Sequence, residues 1–307
     1  MLLLAIAAVG RTIPKGHCIH RLVTDTGDLA PIHTRHGASG VTSRATIAAA
    51  QRVRLLALRP PPPVRWLPFV LLCAALPLLG AQQAPADPRR TEVWSPVPTV
   101  VTPGLGAAPP ADAIVLFDGT DLSRWQGADG GPAAWIVGGG AMTVRAGAGS
   151  IQTRDAYGDC QLHLEWRTPA VVAGAGQDRG NSGVFLQGRY EVQVLDSWQN
   201  PTYVNGQAAS VYKQHIPLVN ASRGPGEWQS YDIIFHAPRF GSDGAGLTPA
   251  TMTVLHNGVL VQDHVTIRGR TLNSGAQTYE LHAPKEPLSL QDHHAPVSFR
   301  NIWIRPL

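Results

Sequence analysis

The chain has 307 residues; 44% are hydrophobic and 15% charged, and it holds 32 Gly and 26 Pro. This balance suits a globular core and not a disordered chain, and a turn-rich composition without long helical periodicity leans to β-structure. The formal net charge of +4 belongs to one end: residues 1–63 carry eight Lys/Arg against two Asp/Glu, while residues 82–307 carry 16 against 19. The part expected to fold therefore has no cationic excess to attract a nucleic-acid backbone, and no nucleic-acid partner is expected.

In chain order, the first informative stretch is residues 64–81. Arg65 precedes an apolar run over 67–79, followed by Gly80 and Ala81. A basic residue, a short apolar run and a small residue at its end is the pattern of a signal peptide. The run is shorter than the roughly 20 residues that span a bilayer, so no stable membrane span is expected. Cys73 lacks the Leu-Ala-Gly context that precedes a lipidated cysteine. Residues 1–63 are read as a non-native or disordered extension, with translation beginning near Val64; the alternative is a signal in residues 1–9 followed by a disordered linker. Either way the expectation is an exported protein, periplasmic or extracellular. Residues 82–112 read as a Pro/Ala-rich linker. Of Cys18, Cys73 and Cys160 only the last lies beyond this signal. One thiol cannot close an internal disulfide, and Cys160 sits among alternating apolar positions, as a buried small hydrophobe would.

Residues 113–307 read as one all-β domain. In residues 160–168, Cys160, Leu162, Leu164 and Trp166 share one parity and Gln161, His163, Glu165 and Arg167 the other, the alternation of a sheet with one buried face. Gly138-Gly139-Gly140 marks a turn after a short apolar stretch. Asn257-Gly258 between residues 251–256 and 259–265 is a strong hairpin signal. Residues 298–304 make a closing strand that is apolar on both parities near its end. His236 and His256 alternate with apolar neighbours and read as core or edge histidines. Many short strands in one block predict a two-sheet antiparallel jelly-roll sandwich.

The chemistry concentrates around Gly180-Asn181-Ser182-Gly183 and 189–197. Read as two strands about Gly188, these put Glu191 and Gln193 on one face and Val192 and Val194 on the other. Asp196 has the wrong parity unless the strand bulges or ends near Leu195, as strands often do beside sites. Two acids and an amide together can do acid/base work and bind hydroxyls; the bland reading is a solvated polar face, or acids paired with Arg189 and Arg167. Gln291, Asp292, His293 and His294, then Arg300 and Asn301, form a second polar group. Tyr212, Lys213 and His215 form a third. The pattern offers no helical histidine pair and no Cys/His cluster, so its metal signal is weak. Phosphate loop, dinucleotide fingerprint and Gly-x-Ser-x-Gly elbow are all absent.

Taken together, these stretches resemble the 3-keto-disaccharide hydrolase family, also described as 3-keto-glucoside lyase/hydratase. The likeness rests on Leu116-Phe117-Asp118-Gly119-Thr120 with Leu122 and Trp125, on residues 180–183 and 189–197, and on Val219-Asn220-Ala221, Gly226-Glu227-Trp228, Asn257-Gly258, residues 290–293 and 299–307. It covers essentially all of residues 113–307. One departure is His294, where Gly is expected. The resemblance implies a concanavalin A-like jelly roll acting on an oxidised (3-keto) glycoside or disaccharide. A ketone at C3 acidifies the C2 proton; a base removes it, the C1 substituent is expelled and water adds. On that reading Glu191 is the first candidate for the base and His293 or Tyr212 for the acid. Gln193, Asn181, Arg300, Glu165, Asp196 and Gln291 are candidates for binding substrate. No cofactor is certain; a divalent metal held by Glu191, Asp196 or His293 is the one considered. Two rivals stand beside it. One is a non-catalytic, lectin-like glycan-binding module, using Trp198, Tyr203 and Tyr212 to stack on sugars. The other is a conventional retaining glycosidase built on Glu191 and Asp196.

Overall fold

The computed structural model describes residues 87–241 and 247–307. The extension and the export signal read over residues 1–81 lie outside the described residues. Among the described residues no helix is long and apolar enough to cross a membrane.

Fifteen strands follow one another among the described residues: β1 (Ile114–Phe117), β2 (Trp125–Gly127), β3 (Ile136–Gly138), β4 (Ala141–Thr143), β5 (Ile151–Tyr157), β6 (Cys160–Arg167), β7 (Ser182–Leu186), β8 (Tyr190–Val194), β9 (Gln229–His236), β10 (Arg239–Phe240), β11 (Leu247–Thr248), β12 (Thr251–His256), β13 (Val259–Thr266), β14 (Glu286–Leu290) and β15 (Ser298–Pro306). The larger sheet runs β13-β12-β9-β6-β15-β4-β3, with β1 also paired to β15. The smaller runs β2-β5-β14-β7-β8, and β10 pairs β11 separately. All these pairings are antiparallel. The fold is an antiparallel two-sheet sandwich of the jelly-roll kind, as the strand pattern predicts.

Local chemistry sets the turns. Asn257 and Gly258 both adopt left-handed backbone (φ 53° and 78°) between β12 and β13, the geometry whose twist matches a tight hairpin. Gln187 and Gly188 do the same between β7 and β8 (φ 54° and 61°). That hairpin fixes the register Phe185 opposite Glu191 and Gly183 opposite Gln193.

The core lies between the sheets. The larger sheet contributes Leu162, Leu164, Trp166, Ile233 and Phe235, and the smaller contributes Val184, Leu186, Tyr190, Val192 and Val194. Tyr190 of β8 meets Phe235 of β9 with ring centroids 5.7 Å apart. Cys160 is buried, and burial pushes its thiol up to about 12, so it is inert packing. His256 lies in the core against Trp166 and Tyr231; burial pulls its imidazole down to about 4, and Nε2 lies 2.8 Å from Gln229 Oε1.

The outward face of the larger sheet is only partly solvated. His163 is buried, 2.7 Å from Asp232 and stacked on Trp303. Trp303 Nε1 and Asn301 Nδ2 both donate to the Ala107 carbonyl, so the end of the Pro/Ala-rich segment lies on this face. That cover explains why Ile302, Trp303 and Ile304 are buried in succession.

One hydrogen bond crosses the core to β8. The fully buried Tyr231 of β9 donates its hydroxyl to the Gln193 carbonyl at 2.7 Å. Tyr231→Phe should cost about 1 kcal/mol, because the same carbonyl keeps the Ala209 amide as a donor. Thermal denaturation should show a fall of about 3 °C, with the native near-ultraviolet spectrum retained.

Candidate active site

The outward face of the smaller sheet is roofed by loops. Gly176–Asp178 forms a short 3-10 turn over it, and Val204–Gly206 another. The free edge of β8 is closed by the backbone of residues 209–212: Gln193 N–H donates to Ser210 O, Ala209 N–H to Gln193 O, and Tyr212 N–H to Glu191 O. This pairing sets Tyr212 beside Glu191. On the other flank, Thr271 Oγ1 accepts from the Glu191 amide. Under this roof lies a cavity of about 460 Å³, lined by Glu191, Gln193, Asn181, Tyr212, Gln291 and His293 among others.

Glu191 is the centre of it. Its residue is 4% exposed, and burial pushes its carboxyl up to about 8. Among the described residues no cation pairs with it, and Oε1 lies 3.1 Å from the Gln193 side-chain amide. That amide is satisfied with its nitrogen turned to the Ser182 carbonyl at 3.0 Å and to Glu191 Oε1, donating to both, which orients the Glu191 carboxyl. Gly183 makes the room: a Cβ there would come within 2.5 Å of Glu191 Oε1 and 2.7 Å of the Phe185 ring.

Tyr212 and Tyr203 meet hydroxyl to hydroxyl at 2.5 Å. Burial, then the Tyr203 hydrogen bond, holds the Tyr212 phenol well above its ordinary range, so it remains a proton donor. Lys213 Nζ fastens this corner, donating to the Asn273 carbonyl and Oδ1 while lying 5.3 and 5.5 Å from the two tyrosine rings. Asn181 Nδ2 donates to the Gln177 carbonyl at 2.7 Å. Gln291 is anchored through its backbone, N–H to Gly183 O and carbonyl to Ser182 Oγ, which leaves its amide to the cavity. His293 stands exposed at the rim. Its neighbour Asp292 is engaged by the Gly149 and His294 amides and is not its partner. His294 adopts φ 65°, a left-handed backbone that favours Gly; this is the physical reason Gly is expected there.

Three predicted residues do not join the cavity. Asp196 lies past the end of β8, buried, with Oδ2 accepting from Arg179 Nε at 2.7 Å and Oδ1 from the Trp198 amide; no bulge turns it toward Glu191. Glu165 and Arg300 sit on the outward face of the other sheet, paired at 2.6 Å, with the Arg300 guanidinium 4.0 Å from the Trp228 ring. Their strand parity is outward, but outward from the opposite side of the sandwich. The set Glu191, Asp196 and His293 is accordingly not assembled for a metal. Among the described residues no group of three His, Cys, Asp or Glu is.

Sequence reasoning passed over Gln177, Asp178, Thr271 and Asn273, all of which line the cavity, and took Tyr203 only as a stacking ring. The available signal was the run of glycines at 174, 176 and 180, each with positive φ, which builds the loop that carries Gln177 and Asp178.

Because Glu191 is protonated more readily in the fold than in the unfolded chain, it stabilises fully below about pH 4.5, and this contribution is lost as pH rises through about 8. Glu191→Gln should remove that loss. Its melting temperature should exceed wild type by about 3 °C or more at pH 9, against a much smaller difference at pH 4.

A solved protein from Parabacteroides distasonis ATCC 8503, described provisionally as a glycosyl hydrolase, is 52% identical; the match covers 72% of this chain and 97% of that one, with a TM-score of 0.69. Two more from the same organism, described alike, are 19% and 22% identical with TM-scores of 0.47 and 0.45, covering 64% of this chain and 94% and 99% of theirs. No curated protein matches. The model of the 3-keto-alpha-glucoside-1,2-lyase-like domain matches residues 112–305. The chain belongs to that family, and its role is a carbohydrate-active one.

Proposed function

We propose that the protein cleaves the glycosidic bond of 3-keto-glucosides or 3-keto-disaccharides by elimination and hydration. The observation that carries this reading is Glu191: a carboxyl buried in the cavity wall, pushed up to about 8 by desolvation and free to take a proton once ionised. A general base works best with a value near the operating pH, and a merely hydroxyl-binding module has no use for one.

The steps balance without any oxidant. The C3 ketone acidifies the C2–H bond; ionised Glu191 takes that proton, and the electron pair passes into an enediolate with its charge on the C3 oxygen. The Tyr212 hydroxyl donates to that oxygen, in the manner of an oxyanion hole. The enediolate collapses, forming C1=C2 as the C1–O bond breaks, and His293 supplies the proton to the departing oxygen. Water then adds its hydroxyl to C1 and gives its other proton to His293, restoring the acid, while the Glu191 acid returns a proton to C2 and is restored as the base. The sum is glycoside plus water giving 3-keto-glucose and an alcohol. Asn181, Gln193 and Gln291 bind the remaining hydroxyls. The signal-like segment at residues 64–81 supports export of this activity from the cytoplasm.

Asp178 also reaches the cavity, and a conventional glycosidase would use it with Glu191 as the carboxyl pair. The two readings separate on substrate. Purified protein should release aglycone from 3-keto-glucosides and not from their unoxidised parents; release from the parents would favour the glycosidase, and binding without release the lectin-like module. With a keto substrate whose leaving group departs without protonation, kcat/KM should climb about tenfold per pH unit below 8 and level off above it, since the base must be ionised. Glu191→Gln should lower turnover by about 10²–10⁴-fold.

A further inference from the structure

A second cavity, of about 520 Å³, adjoins the first and shares Asp178 and His293 with it. Its walls are Pro169, Val171 and Val172 on one segment and Ala295 and Pro296 on another. The valines are 82% and 48% exposed, an unusual placement for branched apolar side chains beside a polar site. Of the charged groups that line it, Asp196 and Arg179 bond each other at 2.7 Å, and Arg179 also donates to the Trp198 carbonyl; Asp178 and His293 stand on the wall shared with the first cavity, with His294 next in the chain. Away from that shared wall and the Asp196–Arg179 pair the lining is apolar except for the Thr168 hydroxyl, which is few partners for the several hydroxyls of a second sugar, and unmet hydroxyls carry a heavy penalty.

We propose that this cavity is the aglycone subsite and that it takes an apolar ring, so that the substrate class is a 3-keto aryl glycoside in preference to a 3-keto disaccharide. The inference rests on the reading of the adjoining site as one that cleaves keto-glycosides. With the sugar at Glu191, the C1 substituent must leave past the group that protonates it. His293 is that group, and it stands on the shared wall. The proline and valine faces then give the ring C–H contacts on release from water, as apolar pockets generally do.

The test uses the full chain and two substrates with the same 3-keto-glucosyl unit, one carrying 2-naphthol and one carrying glucose. Wild type is compared with Val171→Ser/Val172→Ser, whose side chains are exposed enough to leave folding intact. The selectivity ratio, kcat/KM for the naphthyl over the glucosyl substrate, should fall by about tenfold or more in the variant. Comparing each substrate across the two proteins removes the difference in leaving-group acidity. Binding of free 2-naphthol, followed by its fluorescence, should weaken in parallel. An unchanged ratio with unchanged naphthol binding would overturn the aglycone proposal. Failure of wild type to cleave either keto substrate would instead strike the proposed function, and the naphthol titration would still report on the cavity.

Discussion

A carboxyl group that must be kept dry beside a sugar-sized opening is the constraint on which the rest of this structure turns. Glu191 projects from β8 on the side away from the hydrophobic core, where a strand residue would ordinarily meet water. Instead, loops from four parts of the chain close over it. Gly183 yields the space its carboxyl occupies, residues 209–212 complete the edge of β8 by backbone pairing, and Tyr231 ties β8 through the core to the larger sheet. The consequence is electrostatic: desolvation moves the acid to about 8. The same desolvation costs stability once the group ionises, the usual tension between a working site and a stable fold.

The two faces of the sandwich are used differently. On the larger sheet, outward polar groups bond one another. His163 pairs with Asp232, Glu165 pairs with Arg300, and Arg167 and Arg300 both lie against Trp228, at 4.6 and 4.0 Å. These paired groups line an open cavity of about 560 Å³ of their own. On the smaller sheet, the Glu191 carboxyl faces its cavity without an ion-pair partner among the described residues, and Lys213 bonds Asn273. The contrast explains why acids of similar parity have different fates.

Much of this is legible from residue order. Alternation in residues 160–168 names the core face, Asn257-Gly258 names a hairpin, and parity puts Glu191 and Gln193 together. The departure at His294 is visible as a residue where a glycine would sit more easily, and the backbone there is indeed left-handed. What stays hidden has one physical cause: parity tells which way a side chain points from its own sheet, not which sheet it belongs to. Glu165 and Arg300 are misplaced by sequence reasoning for that reason. Asp196 is ambiguous because a strand's last residue is not encoded by alternation. Gln177 and Asn273 come from loops whose positions depend on long-range closure, which no local pattern records.

The central claim is that carbon–hydrogen cleavage at C2 precedes loss of the C1 substituent, and it can be read directly from a kinetic isotope effect. A 3-keto-glucoside with a good leaving group and deuterium at C2 should be cleaved more slowly than its protiated twin, with a primary isotope effect on kcat/KM. Equal rates for the two would mean that the C1 bond is hydrolysed directly, and would contradict the role of Glu191 as the base that opens the reaction.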